Sequence, residues 1–146
     1  MPGKYTVRLT IGEWSASQPL TVVEDPRVLQ SGVTELDLRE QYEHNLRTRQ
    51  LVSDVNQTVA RLRAAQAAAK DDPNKRDRLS TLAAHLITPS IRYSKPELQT
   101  HITYLYGMTN GPDQKIGRDA IDRYQVLRKE LDQRIAELNA IVGAEK

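Results

Sequence analysis

Cysteine and phenylalanine are absent from this 146-residue chain, and one tryptophan, Trp14, stands beside six tyrosines. Without cysteine there are no disulfides and no thiolate metal sites. Aromatics at 5% supply too little ring surface for an all-β sandwich, whereas the aliphatic content suffices for a helical core. No apolar run approaches the ~18 residues that a membrane-spanning helix needs, so no transmembrane segment is predicted. MPGKYTV has no apolar h-region, and a signal peptide is not expected there. An excess of one charge is missing too. The 21 basic and 19 acidic residues leave +2, interspersed without a basic block, so nucleic-acid binding is not predicted. There is no GxSxG elbow and no glycine-rich phosphate loop. The expectation is therefore a chain with no catalytic residue, no cofactor and no metal.

What is present begins with an alternating stretch. Tyr5, Val7, Leu9 and Ile11 interleave with Thr6, Arg8 and Thr10, the period of a half-buried strand. Gly12-Glu13 fits a two-residue type II′ turn, and Trp14, Ala16, Leu20 and Val22 continue on a second strand. Pairing Ile11 with Trp14 sets Leu9 beside Ala16 and Tyr5 beside Leu20, which makes one side of the ribbon apolar. A lone two-stranded hairpin is marginal in water. Its apolar side must rest on the helices that follow or on protein beyond this stretch, and the second is the expectation.

Glu24-Asp25-Pro26 ends the strand, because proline cannot continue a ladder. After a linker at 26–33, Thr34 and Asp37 form a capping-box start. Leu38, Tyr42, Leu46, Val52, Val55, Val59 and Leu62 then mark a first long helix of some 35 residues, about 50 Å, reaching Lys70. Asp72-Pro73 restarts the chain as N-cap and first helical residue, with Leu79, Leu82 and Leu86 as the stripe and Thr88-Pro89 as the end. Ser94 to Glu97 reads as a second capping box, opening a helix with Leu98, Ile102, Leu105 and Met108 inside and Asn110-Gly111-Pro112 as its stop. From about Gly117 a last helix carries Ile121, Tyr124, Leu127, Leu131, Ile135, Leu138 and Val142, with Gly143 as terminator. One-sided stripes joined by short connections predict a mainly α fold: an elongated antiparallel bundle of three to four helices after an N-terminal β-hairpin.

Few side chains compete for a chemical role. Glu40 and His44 stand at i, i+4 and could share a metal, but two ligands make a poor site, and a solvated helix face is the expectation. His101, Tyr104 and Tyr106 surround THITYLYG; the tyrosines either form a binding platform or, more commonly at helical spacing, pack between helices. Gly107 within that helix suggests the close approach of a neighbour. Asn56-Gln57-Thr58 matches the glycosylation sequon but falls in mid-helix. Arg47, Arg49, Arg61, Arg63, Arg76 and Arg78 are dispersed, as on a solvated surface. The expected interaction surface is Tyr5, Val7, Leu9, Ile11, Trp14 and Leu20 on the hairpin, with Tyr104 and Tyr106 as further candidates.

PGKYTVRLTIGEWSASQPLTVVEDPRV resembles the closing strands of the β-sandwich in large bacterial sortilin-like, BNR-repeat β-propeller proteins, often labelled glycosyl hydrolases. REQYEHNLRTRQLVSDVNQTVARLR and LQTHITYLYGMTNGPDQKIGRDAIDRYQVLRKELDQRIAEL resemble the helical region that follows there. The likeness covers nearly the whole chain and departs around DDPNKRDRLS, where the second helix is shorter. It implies a remnant of a β-sandwich at 1–25 and a helical bundle at 34–146, forming the C-terminal part of a secreted or cell-envelope protein. The partners it implies are the upstream domains of that protein. Any glycan chemistry belongs to the propeller, and no family catalytic residue maps onto this chain. The rival expectations are a homo-oligomer joined through the hairpin edge, and an accessory part of a glycan-acting enzyme.

Overall fold

The computed structural model describes residues 1–143, so the end of the expected 34–146 helical segment lies outside the described residues. Strands β1 (Gly3–Ile11) and β2 (Trp14–Val22) form an antiparallel hairpin. Ile11 faces Trp14, Leu9 faces Ala16 and Tyr5 faces Leu20, the register that the turn position dictates. Gly12 takes φ +57° while Glu13 keeps a negative φ, which selects the II′ turn over I′.

The expected linker at 26–33 instead contains a short helix, α1 (Pro26–Gln30). Asp25 caps it, its carboxylate accepting the Arg27 N–H at 2.9 Å, and Pro26 supplies the preset φ of a first helical residue. The Asp-Pro pair that stops the strand is equally a helix start. Helix α2 (Glu35–Ala68) opens on the expected capping box. The Thr34 hydroxyl accepts the Asp37 N–H at 3.2 Å and the Asp37 carboxylate accepts the Thr34 N–H at 2.9 Å. Helix α3 (Pro73–Leu86) starts at Asp72, whose carboxylate accepts the Lys75 N–H at 3.0 Å.

Helix α4 (Leu98–Thr109) does not form the expected Ser94–Glu97 box. Ser94 spends its hydroxyl on the Ile91 carbonyl at 2.7 Å, and Glu97 is itself the N-cap without a side-chain cap bond. Pro96 disfavours the α region at Lys95, so Ser94 and Lys95 stay outside the helix. The Thr88 hydroxyl accepts the Glu97 N–H at 2.9 Å, so the connection supplies what the cap does not. Helix α5 (Arg118–Gly143) ends at the last described residue, so Gly143's role as terminator lies outside what is described.

The described residues hold five helices, α1 being the one not expected. Helices α2, α3, α4 and α5 pack on one another around one cluster that includes Leu51, Val55, Leu62, Leu79, Leu127 and Leu131. Among the described residues no helix is long and apolar enough to cross a membrane.

Three stripes need correction. On α2, Tyr42 and Leu46 are exposed, whereas Gln41, His44 and Thr48 are buried. At ~100° per residue, Gln41, His44 and Thr48 share the line of Leu51, Val55 and Leu62, while Tyr42 and Leu46 are turned roughly 140–180° away. Apolar character alone suggested the wrong positions. On α4, Met108 lies outside and Thr109 inside, its hydroxyl returned to the Leu105 carbonyl at 3.2 Å. Near the end of α5, Ile141 rather than Val142 is buried, beside Leu82 of α3. Gly107 also departs from expectation: a Cβ there would meet nothing within 4 Å, so no helix approaches it closely.

Polar side chains join distant segments. The Gln41 amide donates to the carbonyls of Thr109 and Pro112, both at 3.0 Å, and its oxygen accepts the Gln114 N–H at 3.1 Å. Asn45 donates to the same Thr109 carbonyl at 3.0 Å. Together they fasten the α4–α5 loop to α2. Arg128 of α5 bridges Asp132 on its own helix and, at 2.6 Å, Asp54 on α2. Asn56 of the sequon accepts from Gln99 of α4 at 2.8 Å.

Candidate interaction surface

Alternation along β1 and the one-to-one register sort the hairpin into two unlike sides. Tyr5, Val7, Leu9, Ile11, Trp14, Ala16, Leu20 and Val22 share one side, interrupted by Gln18 alone. Lys4, Thr6, Arg8, Thr10, Ser15, Ser17, Pro19 and Thr21 share the other, where Arg8 donates to the Ser15 hydroxyl at 3.1 Å. An apolar side of this kind normally faces a core. Here Ile11 is 65% exposed and Trp14 57%, and neither strand contacts any element but the other. All six hairpin residues expected at an interaction surface lie on this one open side. Each stays at least 45% exposed, and the strands that carry them pack on no helix.

The two edges differ as well. In a two-residue hairpin the pair flanking the turn exchanges both hydrogen bonds, and so does every second pair from there. The backbone groups of Lys4, Thr6, Arg8 and Thr10 therefore point outward along the free edge of β1, with every donor present. On β2 the outward positions are Ser15, Ser17, Pro19 and Thr21, and Pro19 lacks the N–H. One edge is open to another strand, and the other is blunted.

The tyrosine candidates do not join this surface. Tyr104 is exposed and Tyr106 half-buried, and two residues apart on α4 they point in nearly opposite directions. They make neither a shared platform nor, for Tyr104, the expected helix packing. Tyr104 instead borders a cavity of about 230 Å³ with His101 and Met108 of α4 and Arg123 of α5.

His44 is not on a solvated face. Its ring is buried 6.1 Å from Tyr124 in an edge-on arrangement, with the Arg47 guanidinium 6.0 Å from the same tyrosine ring. Its Nε2 has no hydrogen-bond partner. Burial lowers its pKa below the usual 6.5, reinforced by Arg47 and opposed by Glu40. Glu40 and His44 gain no third ligand, since the described residues contain no group of three or more His, Asp or Glu placed to hold a metal.

Sequence reasoning missed one further feature, a cleft at the hairpin's root. It has a volume of about 360 Å³ and lies between the exit of β2, α2 and the α4–α5 loop. Glu24, Gln41 and Asn45 line it, and no motif marks them. The available signal was the polar run Gln41, His44, Asn45 and Thr48 at helical spacing, which calls for distant partners.

No family model, curated protein or solved structure matches this chain.

Proposed function

We propose that this chain is a non-catalytic C-terminal module of a larger secreted or cell-envelope protein of the sortilin-like, BNR-repeat kind. Its helices form an elongated antiparallel bundle, and its hairpin is the part that meets the rest of that protein. The observation that carries the reading is the uncovered apolar side of β1 and β2, from Tyr5 to Val22. A contiguous apolar patch on a monomer marks a site of interaction, and a two-stranded ribbon gains stability only when more strands or a covering element join it. Strands from upstream would add to the β1 edge and complete the sheet. In this reading any glycan chemistry belongs to the upstream propeller, since no family catalytic residue maps onto this chain.

Hydrogen exchange tests the reading. In the isolated chain the hairpin amides should exchange quickly while those of α2 and α5 stay protected. In a longer polypeptide carrying the upstream domains, the amides of Lys4, Thr6, Arg8 and Thr10 should become protected. Unchanged fast exchange there would overturn it.

A second reading has its own support in the undamaged β1 edge. Two copies could pair β1 against β1 and form a four-stranded sheet. Light scattering at high concentration separates the readings, since a strictly monomeric species eliminates self-pairing.

A further inference from the structure

The polar side of the hairpin carries charge of one sign only. Lys4 and Arg8 both belong to β1, whereas Ser15, Ser17, Pro19 and Thr21 of β2 on the same side are neutral. Neither strand contains an acidic residue; the nearest in sequence are Glu13 in the turn and Glu24 beyond β2. Both cations are exposed, and among the described residues neither enters an ion pair. Arg8 donates one N–H to the Ser15 hydroxyl at 3.1 Å, which leaves its other donors uncommitted.

These charges sit on the edge that is able to receive a strand. The backbone groups of Lys4, Thr6, Arg8 and Thr10 point outward. A residue of an added antiparallel strand that bonds to Lys4 or Arg8 there stands directly opposite it, with its side chain on the same polar side. Lys4 and Arg8 lie four residues apart, about 13 Å along the strand, a spacing that is kept whichever way the added strand runs. Cations on a sheet edge guard against unwanted pairing, and here the guard is selective. A second copy of the chain would bring two more cations and no carboxylate to this side. A neutral strand would leave both charges unanswered, and an acidic one would answer both.

We propose that the partner of the β1 edge is an extended acidic segment of the protein that covers the hairpin. It is a strand with two carboxylates four residues apart on the side that meets Lys4 and Arg8. Its other side is aliphatic and continues the apolar face of Tyr5, Val7, Leu9 and Ile11. The proposal rests on the covered-hairpin reading and adds to it the chemistry of the strand that widens the sheet. Backbone bonds along β1 hold that strand, and the two charge pairs set its register, since a slip of two residues in either direction puts a carboxylate opposite Thr6.

The test is an NMR titration of the isolated chain with the peptide Thr-Val-Glu-Val-Thr-Val-Glu-Val-Thr, capped at both ends. Saturable shifts are expected at the backbone amides of Lys4, Thr6, Arg8 and Thr10, with Ser17 and Thr21 on the other edge little moved. Replacing both glutamates of the peptide by glutamine should weaken binding about fivefold, and replacing them by lysine should weaken it further. A chain carrying both Lys4→Glu and Arg8→Glu should reverse the preference and favour the lysine peptide. Both positions are exposed, and unchanged signals from α2 to α5 verify that the variant is folded. Equal binding of the glutamate and glutamine peptides, or no reversal in the double variant, would overturn the charge assignment. No shift with any peptide would leave Lys4 and Arg8 as guards of a closed edge and would overturn the proposal. So would the same shifts on concentrating the chain without peptide, which would make a second copy the partner. Hydrogen exchange in the longer polypeptide is independent of these outcomes: protection there together with failure here retains the covered hairpin and rejects the acidic strand.

Discussion

The hairpin and the helical part of this chain are both amphipathic, both capped or turned by residues suited to the task, and both regularly hydrogen-bonded, the hairpin along its inner edges alone. Yet they differ in where their apolar atoms end up. Leu62, Leu127 and Leu131 are wholly buried, whereas Leu9 and Ile11, no less apolar, are more than half exposed. A strand gains its hydrogen bonds from a neighbour a few residues away, and nothing in that pairing covers a side. A helix satisfies its backbone internally and can then turn its stripe toward three other helices at once. Satisfied hydrogen bonds and buried surface are separate achievements, and the hairpin has only the first.

The contrast can be broken at its strong end. Leu131→Ala should destabilise the chain by about 2–5 kcal/mol in chemical denaturation, because it opens a cavity among α5 and its neighbours. Next comes the clasp between α2 and the α4–α5 loop. Gln41→Ala leaves the Pro112 carbonyl and the Gln114 N–H without their partner and should cost roughly 1–3 kcal/mol. Thr34→Ala, which removes the first cap of α2, should cost about 1 kcal/mol. Leu9→Ala or Ile11→Ala should fall within about 0.5 kcal/mol, the range of surface substitutions, because neither residue is covered. A hairpin substitution as costly as Leu131→Ala would erase the distinction between the two regions.

Acidity sharpens the same comparison, since His44 belongs to the core and the hairpin has no histidine. The folded pKa of His44 lies below 6.5, so the unfolded chain takes up the proton first. Stability is therefore complete above about pH 6.5, the unfolded value, and declines as pH falls toward the lower folded value. Asp37 acts in a separate window. Its hydrogen bonds with Thr34 lower its pKa below 3.8, so its contribution is present above that value and is lost on further acidification. Urea melts across this range should show the first decline in the native protein and not in His44→Phe, while hairpin chemical shifts stay constant.

Much of the architecture was legible before any coordinates. The register of Tyr5 with Leu20 follows from Gly12-Glu13, because a two-residue turn permits one pairing. The starts at Thr34 and Asp72 follow from side chains that reach their own backbone within three residues. The failures share a cause. Ser94 had two local uses for its hydroxyl, accepting the Glu97 N–H or donating to the Ile91 carbonyl, and the path of the 87–97 connection made the choice. His44 was expected on a solvated face, yet it shares a buried line with Gln41 and Thr48, and the loop around Thr109 and Pro112, some 70 residues on, supplies the partners that let Gln41 be buried.

The candidate surface divides in the same way. Its membership was written in the alternation of β1 and β2, since side chains on a pleated strand have only two sides to choose from. The cleft was not, because Glu24 and Asn45 line one space only when the hairpin exit, α2 and the α4–α5 loop meet there. Sequence by itself determined the elements, their local ends and the apolar side of the ribbon, all settled by sterics and hydrogen bonds within a few residues. Tertiary structure alone decided which line of α2 faces inward, which polar groups find partners and which stay orphaned. Those outcomes depend on atoms brought together from far along the chain, and no local period encodes them.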